Sequence, residues 1–272
     1  MKKLFLIFYF GNLLLWSPLF SEEIGTAELP LPPLSRGLSL KNDMRSSQKS
    51  IKDISFSNGD IVFIRSTSPQ SKALEEVTET HWTHVGVLFR LIEEIKENRE
   101  DRVNSEKKEK NWKLASSQNK SQNKQEKWYV FEASSLVQFT PLEKFVGSRA
   151  HAFLRMKDPL SAAQVALIFE AALSRLGKPY DLYFLLSRDG FHKDDFDYCS
   201  ELVWYVFAKG IRIPLGERVL LGSLNTKGQE AEKLVKKRFA QNAPLSLTEW
   251  QKQYVIPPQS IFESPLLRRI DL

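Results

Sequence analysis

Asp197-Tyr198-Cys199-Ser200-Glu201-Leu202-Val203-Trp204 carries the only cysteine of a 272-residue chain. Leu202, Val203, Val206 and Phe207 recur at helical spacing, so a helix begins near Asp197, a favoured N-cap residue, and Gly210 supplies its stop. Cys199 therefore falls in the first turn. The unpaired N–H groups and positive dipole end found there favour a thiolate, the reactive form of cysteine, and can also receive the oxyanion that forms when a carbonyl is attacked. Taken alone, a single cysteine is more often a small buried apolar residue than a nucleophile. One cysteine excludes an internal disulfide and a thiolate-rich metal site.

A thiolate nucleophile needs an imidazole within hydrogen-bond reach. Of the four histidines, His84 opens a strand, His84-Val85-Gly86-Val87-Leu88-Phe89, whose alternation puts His84, Gly86 and Leu88 on one face. Gly86 lets another backbone or a substrate come close. His81 ranks second, in the preceding loop, while His151 and His192 have weaker settings. His84 also reads as a half-buried sheet histidine satisfied by hydrogen bonds. For the third group, which fixes the imidazole, Glu132 stands in Trp128-Tyr129-Val130-Phe131-Glu132-Ala133, on one face with Trp128 and Val130. A carboxylate facing a core must be paired, whereas one that merely ends a strand points to solvent.

Outward from these elements, Asn58-Gly59-Asp60 is a turn signal feeding a buried strand, Ile61-Val62-Phe63-Ile64. A helix follows Asp158 and ends at Gly177-Lys178-Pro179, a weaker one runs from Lys227 to Phe239, and residues from Ile256 onward form an irregular tail. Residues 93–127 are rich in Glu, Lys, Asn, Gln and Ser and read as a disordered insertion between strands. Residues 1–21, with Lys2 and Lys3 before an apolar run, read as a secretory signal peptide. Residues 22–52 form a Pro- and Ser-containing linker, and 53–272 form the single catalytic domain. The expected location is the periplasm or the exterior, with peripheral association with the envelope.

The net charge of +6 falls to +4 once the leader and its two lysines are removed. Basic and acidic residues are interleaved, without an aromatic-flanked basic patch, which argues against a nucleic-acid partner. No Gly-rich phosphate loop and no metal-ligand cluster is visible, so neither cofactor nor metal is expected.

The series Gly59-Asp60-Ile61-Val62-Phe63, Thr83-His84-Val85-Gly86-Val87, Val130-Phe131-Glu132-Ala133, Gly177-Lys178-Pro179-Tyr180-Asp181 and Tyr198-Cys199-Ser200-Glu201-Leu202-Val203 resembles the YiiX-type permuted papain-like proteins, relatives of the NlpC-type cell-wall peptidases. The histidine strand precedes the cysteine, the reverse of papain. The resemblance spans about residues 56–215 and weakly Ile261 to Leu267. It implies an α+β fold in which an antiparallel sheet carrying His84 and Glu132 packs against helices, with Cys199 as nucleophile at a helix N-terminus, His84 as base and Glu132 as the orienting group. Tyr180 matches a family tyrosine near the cleft, and Tyr180 and Tyr198 are the substrate-contact candidates. Asp194, Asp195 and Asp197 precede the cysteine as an acidic loop suited to a cationic group. The implied reaction is amide hydrolysis through an acyl-enzyme, with an envelope peptide as the first substrate. Lipid-like amides or esters, acyl transfer from the same intermediate, and a non-catalytic envelope binding protein are the alternatives. Tyr183, Phe184, Trp204 and Phe207 are either walls of an acyl pocket or helix core.

Overall fold

Four successive apolar residues form β1 (Ile61–Ile64), buried throughout. Ile61 and Phe63 face one apolar cluster while Val62 and Ile64 face another, so the strand is covered on both sides. A computed structural model describes residues 51–95, 110–115, 126–184, 196–240 and 245–271 of the chain. These belong to one compact unit, Gln48–Leu272.

After β1 come α1 (Pro69–Thr78), β2 (His84–Ile95), β3 (Lys110–Leu114), β4 (Glu126–Ala133), β5 (Val137–Pro141), α2 (Leu142–Val146), β6 (His151–Met156) and α3 (Ala162–Leu173). The cysteine helix is α4 (Cys199–Ile211), followed by β7 (Val219–Leu220), α5 (Gln229–Phe239), α6 (Leu247–Gln251), β8 (Tyr254–Val255), α7 (Pro258–Phe262) and β9 (Leu267–Arg269). The main sheet is antiparallel in the order β5-β4-β2-β1-β6-β9. β3 pairs with β2 beyond the end of β1, and β7 and β8 form a separate ribbon.

α4 is buried at every residue from Cys199 to Ala208, as a helix apolar on nearly all sides must be. It lies among α3, the sheet and α7. α2 covers the opposite face, where Leu142, Phe145 and Val146 meet Val62, Leu88 and Val130. The base of the sheet is tied by a forked ion pair in which Arg155 donates to both oxygens of buried Asp60, each at 2.7 Å.

Several sequence expectations shift. Gly210 does not stop α4. It lies inside the helix where α3 crosses, and a Cβ there would stand 2.8 Å from Ile168 Cα; the stop is Arg212, in the left-handed region at φ 61°. The N-cap is Tyr198 rather than Asp197. The polar excursion is shorter than its composition implies: β2 runs on to Ile95, β3 occupies Lys110–Leu114 and β4 starts at Glu126, because backbone pairing extends strands that composition marks as solvated. Residues 96–109 and 116–125 lie outside the described residues, as does the leader. The last two residues of the expected linker enter a 3-10 turn, Ile51–Asp53, and Ile51 packs with Ile54 and Phe56 on the α2 face. The tail is not irregular either, since α7 packs on α4 and β9 joins β6. Among the described residues no helix is long and apolar enough to cross a membrane.

Candidate active site

His84 begins β2 opposite Ile64 of β1, and Glu132 lies on β4, one pair beyond Val87 and Phe131, beside Gly86. This neighbourhood requires the glycine: a Cβ on Gly86 would lie 2.7 Å from the Phe131 carbonyl oxygen and 3.5 Å from Glu132 Cβ, and would overlap Val130. With nothing at Gly86, the Glu132 carboxylate meets His84 Nε2 at 2.6 Å, with side chains 17% and 8% exposed. The other carboxylate oxygen accepts from Thr140 Oγ1 at 2.5 Å. Glu132 thus turns inward and is paired.

Burial favours a neutral imidazole, but the charge and hydrogen bond of Cys199, then those of Glu132, outweigh it and hold the His84 pKa up at about 10. Burial likewise pushes Glu132 up, yet the His84 hydrogen bond and charge, the Thr140 hydroxyl and the charge of Arg149 leave its carboxyl below the usual range. The ring is therefore an imidazolium, and the carboxylate is ionised, across the neutral range. With Nε2 given to Glu132, Nδ1 is the nitrogen left to serve Cys199. Phe145 stacks on the imidazole, centroids 5.4 Å apart and planes 30° apart.

Cys199 is the first residue of α4 and is buried. Two side chains of that first turn anchor it to the segment before α7: Ser200 Oγ donates to the Ile256 carbonyl at 2.6 Å, and the Ile256 N–H donates to the Tyr198 hydroxyl at 3.0 Å. Tyr198 is 1% exposed, and it lines the recess beside Cys199. Tyr180 is half-buried. Its segment bridges Asp197, and its hydroxyl accepts from Gln70 Nε2 at 2.7 Å; burial first, and the Cys199 charge second, push its pKa well up.

Asp197 is not a groove-lining acid. It is fully buried and accepts from Arg175 Nε at 2.8 Å, while Arg175 also donates to the Phe196 carbonyl at 3.0 Å. Asp194 and Asp195 lie outside the described residues, with His192. His151 faces the Arg149 carbonyl at 2.9 Å and His81 is exposed, so neither joins the site. The four aromatic candidates divide: Tyr183 and Phe184 line a recess beside Cys199, whereas Trp204 and Phe207 are helix core. Thr140, Phe145 and Gln70 escaped the sequence reading because only the folded register brings them to Glu132, His84 and Tyr180.

A family described as permuted papain-like amidase enzymes, YaeF/YiiX, C92 family, matches residues 55–271. The chain belongs to this family. It is accordingly an enzyme of the papain-like amidase and cysteine peptidase kind, and its sheet-and-helix architecture is the permuted papain-like fold. The uncharacterized protein YiiX of Escherichia coli K12 is 30% identical over 215 residues, which cover 78% of this chain and 84% of that protein. A crystal structure described as the metalloprotein yiiX of Escherichia coli O157:H7 shares 28% identity with a TM-score of 0.58, covering 79% of this chain and 96% of the other. Among the described residues of this chain, no group of three His, Cys, Asp or Glu side chains is placed to hold an ion.

Proposed function

We propose that this family member is an exported cysteine amidase in which Cys199 is the nucleophile, His84 the general base and acid, and Glu132 the group that fixes the imidazole. The observation that carries this reading is the 2.6 Å pairing of His84 with Glu132, on an imidazole that also feels the charge of Cys199. Cys199 Sγ attacks the amide carbonyl carbon, and the N–H groups at the α4 terminus face the oxyanion. On collapse the C–N bond breaks and the His84 imidazolium gives its proton to the departing amine. Water then attacks the thioester carbonyl, its proton passes to His84, and the thiolate leaves. Glu132 stays ionised throughout and keeps the ring oriented.

The apolar leader of residues 1–21 supports export, and envelope peptides are the first substrate class to screen. A second reading, transfer of the acyl group to an acceptor other than water, is favoured by the apolar recess beside Cys199. Both run through one thioester and are told apart by adding amines or alcohols and identifying the acylated product.

The test is iodoacetamide alkylation of the folded protein at pH 7, read by mass spectrometry, beside amide hydrolysis. Rapid modification of Cys199, slowed at least tenfold in His84→Ala, together with loss of hydrolysis in Cys199→Ser, is the expected result. Modification at the same rate with and without His84 sinks the proposed pair and favours the non-catalytic alternative.

A further inference from the structure

Burial is the first influence on the His84 ring, and it opposes the charged form on which the proposed reaction depends. Cys199 of α4 and Glu132 of β4 answer it with charge and hydrogen bonds. A third neighbour carries neither. Phe145 of α2, 2% exposed, stacks on the imidazole with centroids 5.4 Å apart and planes 30° apart. The face of a phenyl ring is electron-rich, so it attracts a cation that an aliphatic side chain of similar bulk would only strip of water. The buried cluster on the α2 face is otherwise aliphatic, Val62, Ile64, Leu88, Val130, Leu142 and Val146, with one exception. That exception is Phe153, which meets His151 edge-on, at 64°. Of the two phenylalanines, the one beside the charged histidine presents its face.

A ring acts on a cation only if it is kept in place, and α2, at five residues, is too short to hold itself. Arg149 supplies what the helix lacks. Its Nη2 donates to the carbonyls of Lys144, at 3.2 Å, and Phe145, and its Nε donates to that of Val146 at 3.2 Å. These belong to the last three residues of the helix, whose carbonyls find no intrahelical N–H. The same guanidinium lies over the Phe145 ring, its carbon 6.0 Å from the centroid, and its charge helps keep Glu132 ionised. His151 of β6 shares the rung of His84 through Ile64 and faces the Arg149 carbonyl at 2.9 Å. Glu143 and Lys144 of α2 are exposed.

We propose that Phe145 is a positioning residue for the reaction: its ring face holds the His84 imidazolium in its charged form, with Nε2 on Glu132 and Nδ1 toward Cys199, and Arg149 pins that ring. This rests on the reading of His84 as general base and acid. No bond forms or breaks at Phe145. Its part is to keep the proton on His84 until the departing amine takes it. A cation over an aromatic face away from bulk water gains about tenfold in the equilibrium for its charged form.

The test is an NMR titration of isotope-labelled histidine in the full-length folded protein, with the His84 signal assigned by its loss in His84→Ala. Phe145 is replaced by mono-, di- and trifluorinated phenylalanine, which draw electron density from the ring face and leave its shape nearly unchanged. Phe145→Leu is made separately. The His84 midpoint, about 10 with the native ring, is expected to fall with each added fluorine, by about one pH unit in the trifluorinated protein. Phe145→Leu should match that fall. Arg149→Lys, which keeps a charge near Glu132 and loses the guanidinium fork, is expected to give part of it. A midpoint that stays fixed across the fluorine series overturns the proposal, whatever Phe145→Leu does, and one unmoved by Arg149→Lys removes Arg149 from it. In Cys199→Ala the midpoint should start lower while the spread across the series persists. A His84 that titrates alike with and without Cys199 would sink the catalytic reading and leave the fluorine series decisive for Phe145.

Discussion

Replacing Glu132 by Gln keeps the side chain's shape and removes its charge. The His84 pKa of about 10, against an ordinary 6.5, corresponds to about 5 kcal/mol of preference for the charged ring at roughly 1.4 kcal/mol per pH unit. Cys199 and Glu132 share it, and a charged hydrogen bond assigns Glu132 about 2 kcal/mol. Glutamine still accepts a hydrogen bond, so the variant is expected to lose about 2 kcal/mol of unfolding free energy at neutral pH. The sign of the pH dependence follows from the two directions. The His84 pKa is raised on folding, so its contribution is complete below about pH 6.5 and fades as pH rises through about 10. The Glu132 pKa is lowered from 4.5, so its contribution is complete above that value and fades as pH falls through the folded one. Urea titrations of wild type and Glu132→Gln from about pH 3 to pH 11 should therefore differ most on a neutral plateau and converge at both ends. A difference that is flat across this range would refute the ion pair.

Gly86→Ala forces a methyl group against the Phe131 carbonyl, 2.7 Å away, and should cost about 1–3 kcal/mol by thermal denaturation while lowering amide turnover. Arg155→Ala leaves Asp60 buried without its cation and should cost about 3–5 kcal/mol in the same assay, with the thiol still alkylated in the fraction that folds. Thr140→Val removes the donor to Glu132 Oε1, so the acid limb of the pH–rate profile should move to higher pH. An unmoved limb would show that Thr140 does not hold the carboxylate.

Much of the fold was legible because the sequence carries two clear periods. The alternation through His84 to Phe89 and Trp128 to Ala133 placed His84 and Glu132 correctly on their strands, and the apolar spacing after Cys199 gave α4. What failed depends on neighbours distant in sequence. Gly210 looks like a stop until α3 is seen to need its bare backbone, and Asp197 looks like a cap until Arg175 claims it. β3 and β9 are polar short strands that exist because β2 and β6 offer free edges. In the site, the register between β4 and β5 brings Thr140 to Glu132, and α1 delivers Gln70 to Tyr180 from 110 residues away, which no local pattern announces.

The ties from Ser200 and Tyr198 to Ile256 also bear on when the enzyme becomes competent. A chain made from its N-terminus presents His84, Glu132 and Cys199 long before residue 256 exists. Until that segment arrives, the first turn of α4 lacks both of these anchors. The order of synthesis therefore separates the site's residues from their support: the cysteine helix is made 57 residues ahead of the segment that anchors its first turn.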